Sequence, residues 1–158
     1  MQLSFETVDM ALFFIANLVN LLIIGIMLSR PFGLKRLERI LGLGAVGCAV
    51  PAGLAVLLNA ADGREWWAIV LPALFVAYLI LELILDYVLR LDFRHTRLLW
   101  PYLLVYYVAL NAMIGYTFLV NEAFGFVTLA TYLLGLLATW YSYSRVRHGR
   151  AQGAPSVD

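Results

Sequence analysis

The chain has one cysteine, two histidines and only 13% charged residues in 158. Cys48 has no second thiol to pair with, so neither an intrachain disulfide nor a cysteine-rich metal site can form. It lies in an apolar run and reads as a small packing residue. His95 and His148 stand beside arginines in polar segments, which suits a solvated surface better than catalysis. The sequence has no GxSxG, HExxH or CxxC motif and no phosphate-cradling glycine loop. No cofactor or metal site is therefore expected, and catalysis is not the first expectation. The opening residues MQLSFETVD contain no Lys or Arg, so no cleavable signal peptide is expected. A net charge of +1 gives no argument for a nucleic-acid partner, and none is expected.

What the chain has instead is apolar surface. Hydrophobic residues make up 63% of it, against about half in a soluble domain. A helix needs about 20 mostly apolar residues to cross the hydrocarbon layer of a bilayer. Five stretches qualify, at about 10–29, 40–60, 66–89, 98–120 and 123–144. The expected fold is thus an all-α integral membrane bundle of five transmembrane helices, forming one domain over 1–150 with a disordered tail at 151–158. The break at Asn121–Glu122 is very short, but without it Leu98–Ser144 would be a single run too long for one crossing. A tight hairpin is required there.

Charge placement orients the bundle. Arg30, Lys35, Arg36 and Arg39 follow the first span, Arg90, Arg94 and Arg97 the third, and Arg145, Arg147 and Arg150 the fifth. Only Arg64 lies on the other side, in the company of Glu6, Asp9, Asp62, Glu65 and Glu122. Ten of the eleven basic residues therefore agree, and the positive-inside rule places the N-terminus outside and the C-terminus in the cytoplasm. The expected location is the plasma membrane of a prokaryote, as a multi-pass protein. Trp66 and Trp67 are the outer aromatic anchors, and Trp100, Trp140 and Tyr141 the inner ones. Segment 30–39, with Phe32, Leu34 and Leu37 among the cations, is expected to be a short interfacial helix.

Two spans carry unusual residues. The second contains Gly42, Gly44, Ala45, Gly47, Ala49 and Gly53, which let neighbouring backbones approach closely. Pro51 near its middle removes a helical hydrogen bond and should kink it. On the third, Tyr78, Glu82, Asp86 and Arg90 are spaced by four and share a face. Counting 1.5 Å per residue, Glu82 lies roughly 7 Å to the cytoplasmic side of the midplane. An ionised carboxylate there costs at least ~2.5–3.5 kcal/mol. A cation, hydrogen bonds from neighbours or protonation would relieve that cost. Asp86 is one turn nearer the interface.

Other polar groups lie at comparable depth. Asn17 and Asn20 share a face of the first span, Tyr102 and Tyr106 one face of the fourth, and Tyr107 and Asn111 another. Thr128, Thr131, Gly135, Thr139 and Ser142 form a stripe on the fifth. The candidate ligand- or proton-binding set is therefore Glu82, Asp86, Tyr78, Tyr106, Asn20, Asn17, Asn111 and Thr139, with no catalytic residue among them.

Three functions compete. Transport or binding of a small ligand, proton or cation at Glu82 predicts a cavity touching that residue. A structural or accessory subunit, packing on membrane partner helices or on a second copy of itself, predicts a filled core with Glu82 locked by Tyr or Asn. A lipid-modifying intramembrane enzyme needs Glu82 and Asp86 to open together near the cytoplasmic interface, beside the Arg90–Arg97 loop. The lipid bilayer is a partner in every case.

Overall fold

The computed structural model describes residues 5–89 and 97–152. No strand occurs among the described residues. Helix α1 spans Phe5–Ser29, α2 Lys35–Gly47, α3 Ala49–Ala61, α4 Trp66–Glu82, α5 Leu99–Val120 and α6 Glu122–Gln152. Five continuous stretches are long and apolar enough to cross a bilayer: Phe5–Phe32, Lys35–Ala61, Trp66–Val88, Leu99–Val120 and Glu122–Arg145. The chain is thus a multi-pass membrane protein with an all-α bundle. The helices form a ring in which α1 touches α2, α3 and α6, α6 touches α5, α5 touches α4, and α4 closes on α3.

Hydropathy cannot separate the inner faces of these helices from their outer faces, because lipid is as apolar as a protein core. Polar residues and close packing do. On α1 the buried face runs Val8, Leu12, Ala16, Val19 and Ile23, while Phe14, Leu18 and Leu21 of the same helix are exposed. Asp9, Asn17 and Asn20 fall on the buried side. Asn17 Nδ2 donates to Thr128 Oγ1 at 3.1 Å. The Thr131 hydroxyl donates to Asn17 Oδ1 at 2.8 Å and accepts from Asn20 Nδ2 at 3.0 Å. This ladder, with Phe13 stacked on Phe124 at 4.3 Å, ties α1 to α6. Interhelical polar bonds of this kind contribute about 0.6 kcal/mol each on average.

Two prolines shape the middle of the ring. Pro51 has no N–H to give the Gly47 carbonyl, and its ring crowds that carbonyl. The second span breaks there, with α2 ending at Gly47 and α3 starting at Ala49. In α4, Pro72 leaves the Ala68 carbonyl without its helical donor. Asn59 of α3 is buried and supplies a replacement, donating from Nδ2 to Ala68 O at 2.8 Å. That bond pins α3 to α4. Beyond Glu82 the third span widens into a π-helix, Leu83–Val88, a distortion that is frequent at functional sites.

The connections and ends differ from expectation at three points. Residues 30–39 do not form a separate interfacial helix. Arg30–Phe32 is a single 3-10 turn closed by Gly33 at φ 67°, and the chain re-enters helix at Lys35, continuous with the second span. The first two spans accordingly begin at Phe5 and Lys35, each ahead of the apolar run. α6 runs on through Gln152, so the first two residues of the expected tail are helical, and 153–158 lie outside the described residues. The α5–α6 hairpin is as tight as the sequence demands. Asn121 alone separates the helices in an extended conformation, and its Oδ1 caps α6 by accepting the Ala123 N–H at 2.8 Å.

Candidate functional site

The bundle has two polar centres, one at each end. The end carrying Arg30, Lys35 and Arg39 is here the basic end, and the end carrying Asp9 and Arg64 the acidic end.

At the basic end α2 keeps its contact with α1 but touches α4 little, whereas α3 packs on both α1 and α4. The break between α2 and α3 thus lets α2 lean away. A cavity of about 480 Å³ fills the gap, reaching from the charged rim to the apolar centre. That volume is in the range of small-molecule sites, about 300–1,000 Å³. Glu82 and Asp86 line it from the third span, and Tyr102 and Tyr106 from α5. Tyr102 donates its hydroxyl to Glu82 Oε2 at 2.5 Å. Tyr78 stands one turn deeper than Glu82, with its ring 5.4 Å from Tyr106 and 6.3 Å from Tyr102. One carboxylate and three tyrosine rings therefore share a wall.

The facing wall is mostly cationic, with Glu38 the one carboxylate on it. Arg30, Lys35 and Arg39 line the same cavity. Arg30 Nε pairs with Glu38 Oε1 at 2.9 Å, while among the described residues Lys35 and Arg39 make no ion pair. Tyr87 of the π-helix crosses the gap, its hydroxyl facing the Arg39 carbonyl at 3.4 Å. It lies against Gly42, where an added Cβ would stand 2.3 Å from the phenol oxygen. Any larger residue there would require the Tyr87 ring to shift.

The expected site residues divide into three groups. Glu82, Asp86, Tyr78, Tyr106 and Thr139 all line the cavity. Asn17 and Asn20 do not: they belong to the α1–α6 ladder. Asn111 is exposed on the outer surface of α5 and donates to the Tyr107 carbonyl one turn back at 2.8 Å. Equal depth placed these asparagines level with Glu82, but depth does not fix which way a side chain points. Of the Arg90–Arg97 loop, residues 90–96 lie outside the described residues. Among the described residues no three metal-ligating side chains gather.

The acidic end holds a cluster that depth and spacing gave no hint of. Gly63, at φ 63°, ends α3 with its N–H on the Ala60 carbonyl, and the Arg64 N–H returns to the Asn59 carbonyl at 3.0 Å. This Schellman turn folds Arg64 back over the helix end. Its guanidinium grips the Asp9 carboxylate with both terminal nitrogens, one of them 3.1 Å from Oδ2. Tyr116, fully buried, donates to Asp9 Oδ1 at 2.5 Å, and Asn59 Oδ1 accepts from Arg64 at 3.2 Å. The Phe5 and Trp67 rings cover the guanidinium at 5.2 and 5.9 Å. The hydrogen bond to Asp9 pushes the already high Arg64 pKa further up. Arg64 was the one basic residue that dissented from the charge asymmetry, and that was the signal available in the sequence.

No protein-family model, no curated protein and no solved structure matches the chain. The reading of its sites rests on their own geometry.

Proposed function

We propose that the protein binds a small, positively charged ligand at Glu82 and moves it across the plasma membrane, taking it up from the cytoplasmic side. The observation that carries this reading is the cavity itself, in which Glu82 stands among Tyr78, Tyr102 and Tyr106. A carboxylate attracts a cation by charge, and tyrosine faces attract it by their quadrupole, most strongly where water is excluded. Ionisable residues inside membranes mark substrate and ion pathways. The open basic end and the sealed acidic end suit a carrier in which one side is accessible at a time. An accessory subunit calls for a filled core with Glu82 locked by Tyr or Asn; the Tyr102 hydroxyl meets the second demand, but the cavity favours the ligand reading over the first. The charge asymmetry of the sequence, with ten of the eleven basic residues in segments on one side of the five spans, supports a cytoplasmic placement of the basic end, with the N-terminus outside.

The test uses the full chain in detergent and in liposomes, with tetramethylammonium and ethylammonium as probes. Binding is read by calorimetry and uptake by radiolabel. Glu82→Gln keeps an acceptor for the Tyr102 hydroxyl but removes the charge, so it should weaken binding by about tenfold or more, the scale of one lost charge-assisted contact. A Glu82→Gln protein that binds and transports both probes as well as the unmodified chain would sink the proposal.

A further inference from the structure

The Glu82 cavity is sorted by polarity in a way that a bare cation does not need. Its inner part is apolar, walled by Val19, Ile23, Leu79 and Leu136. Its rim carries charge of both signs on facing walls, Glu82 and Asp86 on the third span against Lys35 and Arg39 on α2. With Arg30 and Glu38 paired to each other at the rim, a purely cationic ligand would leave Lys35 and Arg39 lining its site at a Coulombic cost, and a purely anionic one would meet Glu82 and Asp86. A ligand with both charges satisfies both walls, and an alkyl chain satisfies the depth. The cavity also lies where α2 parts from α4, and the described residue that crosses the gap is Tyr87 over Gly42. A chain already dissolved in the bilayer can pass between those helices without crossing water.

We infer that the ligand is a single-chain amphiphile whose head group carries an ammonium and a phosphate. The ammonium lies at Glu82 and Asp86 among the tyrosine rings, the phosphate at Arg39 and Lys35, and the chain points toward the bundle centre. A guanidinium and an ammonium side by side suit a phosphate, one through paired donors and the other as a point charge. The volume of about 480 Å³ is on the scale of one alkyl chain with its head group partly at the open rim, and is too small for two chains. This inference rests on the reading of Glu82 as an ammonium site.

Four probes separate the parts, each titrated calorimetrically into the full chain in a nonionic maltoside. They are a lysophosphatidylethanolamine, dodecylammonium, dodecyl phosphate and phosphoethanolamine. The lysophospholipid should bind about tenfold or more tighter than any of the others, the gain expected from one further charge-assisted contact. Arg39→Gln and Lys35→Gln, both on exposed positions, should weaken the lysophospholipid toward the level of dodecylammonium and should not weaken dodecylammonium, which loses a repulsion. Arg39→Lys should restore part of the loss. Dodecylammonium that equals the lysophospholipid, with neither sensitive to Arg39 or Lys35, overturns the inference and leaves the cation site standing. Phosphoethanolamine binding as tightly as the lysophospholipid overturns the amphiphile assignment. If Glu82→Gln alters the binding of no cationic probe, the inference falls together with the function proposed above.

Discussion

Removing Arg64 should destabilise the bundle far more than removing its partner's charge, and the geometry says why. The Arg64 and Asp9 side chains are 13% and 11% exposed. Arg64→Ala leaves the Asp9 carboxylate enclosed with the Tyr116 hydroxyl as its remaining donor. Breaking a buried pair in this way costs about 3–5 kcal/mol. Both side chains keep some exposure to water, so the lower figure, about 3 kcal/mol, is the expectation. At about 2–4 °C per kcal/mol for a chain of this length, the melting temperature should fall by about 6–12 °C. Asp9→Asn is milder. The amide still accepts from Tyr116, and Arg64, on a loop at the membrane boundary, can extend its head into water. The double variant Asp9→Asn/Arg64→Ala should then melt above Arg64→Ala alone, since the stranded charge is gone. Thermal unfolding in mild detergent, followed by tryptophan fluorescence, measures all three. An Arg64→Ala protein that melts within about 2 °C of the parent, or a double variant no better than Arg64→Ala, would refute the account of this cluster.

Three further outcomes are expected from packing. Gly42→Ala should cost about 1–3 kcal/mol by overpacking, since the new methyl would meet the Tyr87 hydroxyl at 2.3 Å. Adding Tyr87→Phe should recover most of that loss in the same melting assay, the next ring atom being 3.6 Å away. Gly125→Ala at the α5–α6 hairpin puts a methyl 2.2 Å from the Phe118 ring. Here the methyl meets the base of a ring at three atoms rather than its tip at one, so a small side-chain swing relieves it less; this substitution should be the more damaging of the two, and Phe118→Ala should partly relieve it. Asn17→Ala breaks the α1–α6 ladder at the residue that bonds both Thr128 and Thr131. With two such bonds lost it should cost about 1.2 kcal/mol, and no more than about 3.4 kcal/mol at the upper end for interhelical polar bonds in a bilayer; a larger drop in melting temperature than that implies would show that the ladder does more than join two helices.

The five spans were legible because crossing a bilayer imposes one strong requirement, a long apolar run, that sequence shows directly. The break near Pro51 was legible for a similar reason, since a missing N–H acts on its own helix. The acid on the third span stood out because charge is costly at that depth. Azimuth was not legible. Leu12 and Phe14 are equally apolar, yet one is buried and the other exposed, because in lipid the two environments differ in packing rather than in polarity. For the same reason Asn20 and Asn111 could be placed at the level of Glu82 but not turned toward or away from it. Arg30, Lys35 and Arg39 were read as topology determinants, and that role hid the wall they form. The Asp9–Arg64 pair joins residues 55 apart in sequence, and no local pattern announces it.

The two prolines connect these observations. Pro72 frees the Ala68 carbonyl, Asn59 takes it, and the same Asn59 holds Arg64 through its other amide atom. The missing donor in α4 is thereby turned into a fastening between α3 and α4 at the acidic end, and Arg64 extends it to α1 and, through Asp9, to Tyr116 of α5. Pro51 has the opposite consequence. It breaks the second span just on the basic side of that fastening, so α3 stays clamped while α2 swings clear of α4. A helix held at one end and hinged in the middle leaves space only beyond the hinge. That is where the cavity lies, and where the third span widens into a π-helix whose Tyr87 reaches across to α2. One closed end and one open end therefore follow from where two imino acids fall along two helices, and Glu82 is functional in this reading because it stands on the open side of the hinge.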